Sequence, residues 1–283
     1  MTAADRWRSQ LAAWALPDYI TAAVTDSPWA VPTDVFARRA DTSVAAPSGV
    51  SYERAHAALD SDGTVLDVGA GAGAASLPLG RPIVAVDTSA DMLAALATRA
   101  LRLHLPVRTI VGRWPAIAPA VPVCDVVVCH HVAYNAPDLG EFALALSFHA
   151  RRRVVLELTP FHPMSALNPL WRRMHALERP TGPTAGDAVN VLHEVGIFPT
   201  VERFARPPRP AYASLDDLVA VTRRRLCLPP GRDKELRHAL LTLGVNPSDP
   251  RDLQPPDSNL VTLWWDPRPT PTPPRPLPRP RRS

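Results

Sequence analysis

From residue 64 onward, short β-branched apolar runs alternate with longer amphipathic stretches. Val65–Val68 and Ile83–Asp87 are β-branched and too short for helices, so they read as parallel strands buried on both faces, and Val107–Val111, Asp125–Cys129 and Val154–Glu157 continue the series of strands. Between them, Ala90–Leu103 and Leu139–Ala150 carry helical periodicity. Such alternation predicts an α/β fold with a parallel sheet and helices on both faces. Thr184 opens a further helix running to about Val195, and Gly196 stops it. Strands are also expected near Val201–Phe204 and at Leu260–Trp265.

The flanks follow other patterns. Ala3 to about Leu59 is helical with breaks at Pro17, Pro28, Pro32 and Pro47, and residues 1–59 are expected to form a helical lid over the domain of residues 60–266. Trp7, Trp14, Tyr19 and Phe36 suit packing of these helices on the sheet. Trp29, in a proline-bounded loop, is the best of the N-terminal aromatics to face a substrate. A helical insert spans about residues 205–245, with helices over Ser214–Leu226 and Asp233–Leu243, and Asp217 stands in capping-box position to Ser214. Residues 267–283 are proline, arginine and threonine in the main and are expected to be disordered or polyproline II.

Composition narrows the class. A chain of 283 residues with 46% hydrophobic content can bury a substantial core. No run is long enough to span a membrane, and the N-terminus lacks a secretory pattern, so a cytoplasmic location is expected. Cys124, Cys129 and Cys227 have no paired metal-ligand spacing and suggest neither a disulfide framework nor a metal site. The pI of 9.3 invites a nucleic-acid reading, but five arginines without an acid lie in residues 268–283, leaving a formal −1 on the rest. Nucleic acid is therefore a possible but not a favoured partner.

The densest chemistry lies at Val65-Leu66-Asp67-Val68-Gly69-Ala70-Gly71-Ala72-Gly73, followed by a strand ending in Asp87. Glycines permit the tight turn and the close approach of backbone to a ligand, and the amides of a following helix can face a polar group. Pro78 limits that helix to little more than one turn. Gly69, Gly71 and Ala74 also fit a loose G-x-G-x-x-A dinucleotide pattern. An acid, one spacer and G-x-G-x-G, with a second acid ending the next strand, resembles the class I S-adenosylmethionine-dependent methyltransferases.

The resemblance covers residues 60 to 160 and implies a Rossmann-like seven-stranded sheet with one antiparallel edge strand. It implies S-adenosylmethionine as cofactor, with Gly69, Gly71 and Gly73 wrapping its amino-acid end, Asp67 anchoring its ammonium side and Asp87 binding its ribose. Thr88 and Met92 fit the same wall, with Thr88 or Ser89 capping a helix and Met92 placed on the adenine. The acidic cluster expected after the third strand is replaced by Gly112-Arg113-Trp114, where Arg113 or Trp114 can stack on the adenine.

Ligands in such sheets bind beyond the carboxyl ends of the strands. After the fourth strand come Cys129-His130-His131-Val132-Ala133-Tyr134-Asn135. His131 is the candidate general base and Tyr134 the residue orienting the acceptor, with His130 lining the cofactor. Cys129 suits a buried, inert thiol. After the fifth strand, Trp171 and His175 share a helix face that either reads substrate or docks on the sheet. The reading reached is a methyltransferase acting on oxygen or nitrogen of a small molecule. An RNA methyltransferase, a nicotinamide-dependent oxidoreductase and a non-catalytic cofactor-binding protein are the alternatives.

Overall fold

The computed structural model describes residues 1–21, 33–205, 212–255, 257 and 259–267. Trp29 and residues 268–283 lie outside them. Seven strands form one sheet: β1 (Val65–Val68), β2 (Ile83–Asp87), β3 (Val107–Val111), β4 (Cys124–His130), β5 (Ala150–Leu158), β6 (Thr200–Phe204) and β7 (Leu260–Trp265). Their order is β3-β2-β1-β4-β5-β7-β6. The first five are parallel, and β7 runs antiparallel to both β5 and β6. The order in which strands are added reverses between β1 and β4, the switch point at which such sheets hold ligands.

The sheet is covered on both faces. One face carries α1 (Ala3–Ala12), α6 (Leu139–Phe148) and α8 (Ala185–Glu194), around a core including Trp7, Leu146, Leu156 and Leu192. The other carries α3 (Thr33–Ala45), α4 (Val50–Ala57) and α5 (Ala90–Arg102). A second apolar cluster joins Ile20 of α2 (Asp18–Thr21) to α7 (Asn168–His175), α9 (Leu215–Arg225) and α10 (Asp233–Thr242). Ser214 caps α9 by accepting from Asp217 N at 3.1 Å.

Three expectations change. The N-terminal region is not wholly a lid, because α1 is docked: Trp7 is fully buried, and its indole donates to Ala136 O at 2.8 Å. The carboxylate of Glu194 accepts from the amides of Ala3 and Ala4 at the start of the same helix. Second, β5 begins at Ala150, four residues before its apolar run, and α6 ends at Phe148. The intervening Arg151, Arg152 and Arg153 extend the strand because each charge meets an acid, Asp125, Asp60 and Asp266 respectively. The Arg153 guanidinium also lies 4.2 Å from the Trp264 ring centroid.

Third, no α-helix follows the glycine loop. Residues 71–76 are turns, and only a three-residue 3₁₀ segment, Leu77–Leu79, precedes β2. Pro78 within it cannot donate a backbone hydrogen bond. Its place against the sheet is filled by α3, whose Ala40 is buried with Ala70, Ala72, Leu77 and Leu96.

Candidate active site

The glycine loop leaves β1 with backbone angles that side chains resist. Gly69, Gly71 and Gly73 have φ of +72°, +51° and +92°. A Cβ on Gly69 would stand 2.2 Å from Val132 Cγ2, and one on Gly73 would stand 2.6 Å from Leu77 Cδ1. At Gly71 a Cβ would meet nothing within 4 Å. Gly69 thus lets the β1 and β4 ends approach, Gly73 seats the loop on the core, and Gly71 faces open space.

Two acids shape this loop. Asp87 Oδ2 accepts from Gly71 N at 2.8 Å and Oδ1 from Ser89 N at 2.9 Å. The first-turn amides expected to face a ligand are therefore replaced in part by an amide turned onto Asp87. Asp67 is 1% exposed and accepts from Ser76 Oγ at 2.6 Å. Burial raises its pKa to about 7 against the opposing hydrogen bond from Ser76, and the neighbouring Asp87 adds to the rise. Ser89, not Thr88, caps α5, accepting from Met92 N at 3.3 Å.

A cavity of about 980 Å³ opens over these strand ends. Asp67, Gly69, Gly71, Asp87, Thr88 and Met92 line one end. Arg113 and Trp114 continue that wall after β3, with Trp114 buried and its indole donating to Phe142 O at 3.3 Å. His130, His131 and Glu157 line it beyond β4 and β5. Phe36, Thr42 and Ser43 of α3 and Ser51 and Tyr52 of α4 border it from the N-terminal region, and Phe204 and Leu260 from the antiparallel strands.

Two expected site residues fall outside that lining. Gly73 is buried against Leu77 and Leu96. Tyr134 is 6% exposed, stacks on Trp7 with centroids 5.7 Å apart and donates its hydroxyl to Thr159 O. Burial raises its pKa. The one-turn segment Ala133–Asn135 after β4 aims this ring into the core, so it does not orient an acceptor. Trp171 is likewise core, and His175 Nε2 pairs with Leu226 O at 2.7 Å. Cys129 is fully buried, and burial lifts its thiol well above the ordinary range.

The histidines behave as two different groups. His130 is held neutral, as burial lowers its pKa more than neighbouring Glu157 raises it, and its Nε2 is buried without a hydrogen-bond partner. His131 has φ of +62° and a side chain 43% exposed, with Nε2 3.1 Å from Glu157 Oε1. Glu157 was not singled out from the sequence. Its signal was present nonetheless: a lone acid ends an apolar run at the same level of the sheet as the two histidines.

This arrangement can be set beside known proteins. Residues 65–150 match the family model described as a methyltransferase domain. They form a class I S-adenosylmethionine-dependent methyltransferase domain. The match begins at β1 and ends as β5 begins, so it contains the glycine loop, Asp87 and both site histidines. The methyltransferase uses S-adenosylmethionine as its cofactor, and the nicotinamide alternative gives way to it. No curated protein matches the sequence significantly.

Among solved structures, the methyltransferase is similar to a putative sarcosine dimethylglycine methyltransferase from Galdieria sulphuraria, with 14% identity over 81% of this chain and 85% of that one and a TM-score of 0.49. The YcgJ protein of Bacillus subtilis gives 17% identity over 77% and 97% of the two chains, with a TM-score of 0.49. Magnesium protoporphyrin IX methyltransferase from Synechocystis gives 18% over 72% and 88%, with a TM-score of 0.46.

Proposed function

We propose that the enzyme methylates an oxygen or nitrogen of a small-molecule acceptor, with His131 taking the acceptor's proton. The observation that carries this reading is a half-exposed imidazole in the lining of the cofactor cavity, at the end of β4. The cavity suits the cofactor: Gly71 presents only hydrogen where a Cβ would project into open space, and Asp67 is a buried acid on the same wall.

Each oxygen of Asp87 keeps a lone pair beyond its backbone bond, enough to accept from the two ribose hydroxyls. Asp67 and the Gly69–Gly71 backbone receive the amino-acid end. Met92 and Trp114 flank the adenine, and Arg113 and Thr88 stand beside them. The bound cofactor supplies an electrophilic methyl group. The chain's part is to align the acceptor, exclude water beneath α3 and α4, and accept a proton.

Enclosure by Phe36, Tyr52, Phe204 and Leu260 favours a small acceptor over RNA. On α9, Arg223 and Arg225 are paired with Asp233 and Asp252, 3.0 and 2.9 Å away, and so are engaged within the fold. No described helix is long and apolar enough to cross a membrane. The buried, unbridged cysteines suit a reducing cytoplasm.

The test is a panel of phenols, alcohols, amines and short RNAs, read by release of S-adenosylhomocysteine. A small-molecule acceptor should be turned over, and His131→Ala should cost about 10²-fold or more in kcat. Turnover of RNA alone would overturn the acceptor class. Undiminished turnover in His131→Ala would leave alignment without a base.

A further inference from the structure

Glu157, the penultimate residue of β5, sits inside a set of contacts that use its carboxylate within the protein. It is 8% exposed, yet it stays ionised: burial pushes its pKa up, but His130, His131 and the Ser51 hydroxyl outweigh burial and hold it at about 2. Its Oε1 faces His131 Nε2 at 3.1 Å, and its own carbonyl accepts from His131 N at 2.9 Å. Ser51 comes from α4, and its Oγ lies 2.7 Å from Thr262 Oγ1, on the β7 residue registered opposite Glu157.

Adjacent strand residues point to opposite faces of a sheet. His130 is registered opposite Glu157 on the neighbouring strand, and His131 Nε2 nevertheless also reaches its carboxylate. The left-handed φ of +62° at His131 breaks the alternation and brings the second imidazole to the carboxylate. A non-glycine residue in that region costs roughly 1–3 kcal/mol and persists only where its surroundings hold it. Here the contacts to Glu157 are the backbone hydrogen bond and the 3.1 Å approach of the imidazole to its carboxylate.

We infer that Glu157 is the positioning residue for His131: its carboxylate keeps the imidazole protonated at Nε2 and leaves Nδ1 to take the acceptor's proton. This rests on the reading of His131 as base. When the acceptor's O–H or N–H bond breaks, an N–H bond forms at Nδ1. The resulting imidazolium is balanced by the Glu157 carboxylate, and its exposed edge returns the proton to water. The Glu157 carboxylate thereby sets which nitrogen is basic, as a third group orients the base in nucleophile–base pairs.

The tautomer of His131 reports the arrangement without any acceptor. Long-range ¹H–¹⁵N spectra of the full chain with S-adenosylhomocysteine, at about pH 9 where ordinary imidazoles are neutral, should show His131 protonated at Nε2 alone. Glu157→Ala should give a mixture of tautomers, and added formate should restore the single form. Glu157→Gln, which keeps the shape and an acceptor oxygen but removes the charge, should give partial mixing and decides the matter if Glu157→Ala fails to fold. A wild-type ring protonated at Nδ1, or a single Nε2–H form in every variant, would overturn the proposal. Undiminished turnover in His131→Ala would instead sink the base reading and leave the tautomer result standing, so the two failures are distinguishable.

Discussion

Ser76 Oγ donates a 2.6 Å hydrogen bond to Oδ2 of Asp67, and both residues are shut away from solvent beneath the glycine loop. A single neutral donor does not repay burial of an anion, so Asp67 titrates near 7 in the folded protein, against 3.8 in an open chain. The folded state therefore binds the extra proton over that interval. The resulting stability is full below about pH 3.8 and is lost as pH rises through about 7. Asp67→Asn removes the titration. Denaturant melts of the two proteins should show wild type losing stability relative to the variant between about pH 4 and 7, by on the order of a few kcal/mol. Parallel curves would mean that Asp67 is ionised throughout.

Asp87 joins the loop to the start of α5 through the amides of Gly71 and Ser89. Hydrogen bonds to a charged group contribute about 1.5–3 kcal/mol each, and the same oxygens are proposed to meet the ribose. Asp87→Ala should weaken S-adenosylhomocysteine binding by about 10²-fold or more in calorimetry. Asp87→Asn, which keeps one acceptor, should fall between. Wild-type affinity in Asp87→Ala would remove the acid from the cofactor site.

Gly69 and Gly71 separate fold from function. Alanine at Gly69 drives a methyl group to 2.2 Å from Val132 Cγ2, so Gly69→Ala should lower both melting temperature and cofactor affinity. Alanine at Gly71 meets no atom within 4 Å and costs only the left-handed backbone, roughly 1–2 kcal/mol. Its methyl group enters the cavity, so Gly71→Ala should lose most S-adenosylhomocysteine binding while remaining folded. Undiminished binding in a folded Gly71→Ala would show that Gly71 does not face the cofactor.

These contrasts mark how far the sequence could be read. The strands were legible because strands buried on both faces, as β1 and most of β4 are, leave continuous β-branched runs, and the acid–glycine–acid pattern at Asp67, Gly69 and Asp87 is local in sequence. What escaped depends on contacts far apart in the chain. The start of β5 hides in a run of arginines whose partners lie at Asp60, Asp125 and Asp266. Tyr134 reads as a site residue until Trp7 and Thr159 claim it for the core. Glu157 gains its meaning only when β4 and β5 stand side by side.

The missing helix after the glycine loop sets the last expectation. Leu77–Leu79 covers little of the sheet, and α3 closes the gap by burying Ala40 completely while presenting Phe36, Thr42 and Ser43 to the cavity. A lid that served only the acceptor could be loosened without cost to cofactor binding. A helix that stands in for a wall of the fold could not. Ala40→Glu places a carboxylate among Ala70, Ala72, Leu77 and Leu96, where an unpaired charge costs several kcal/mol. It should lower the melting temperature and weaken S-adenosylhomocysteine binding about tenfold or more. Asp41→Ala is the control on the same helix, since it breaks only the pair with Arg99, in which Asp41 is 60% exposed. Exposed pairs contribute at most about 1 kcal/mol, so affinity should stay near wild type. Unchanged affinity in Ala40→Glu would return α3 to the role of a lid.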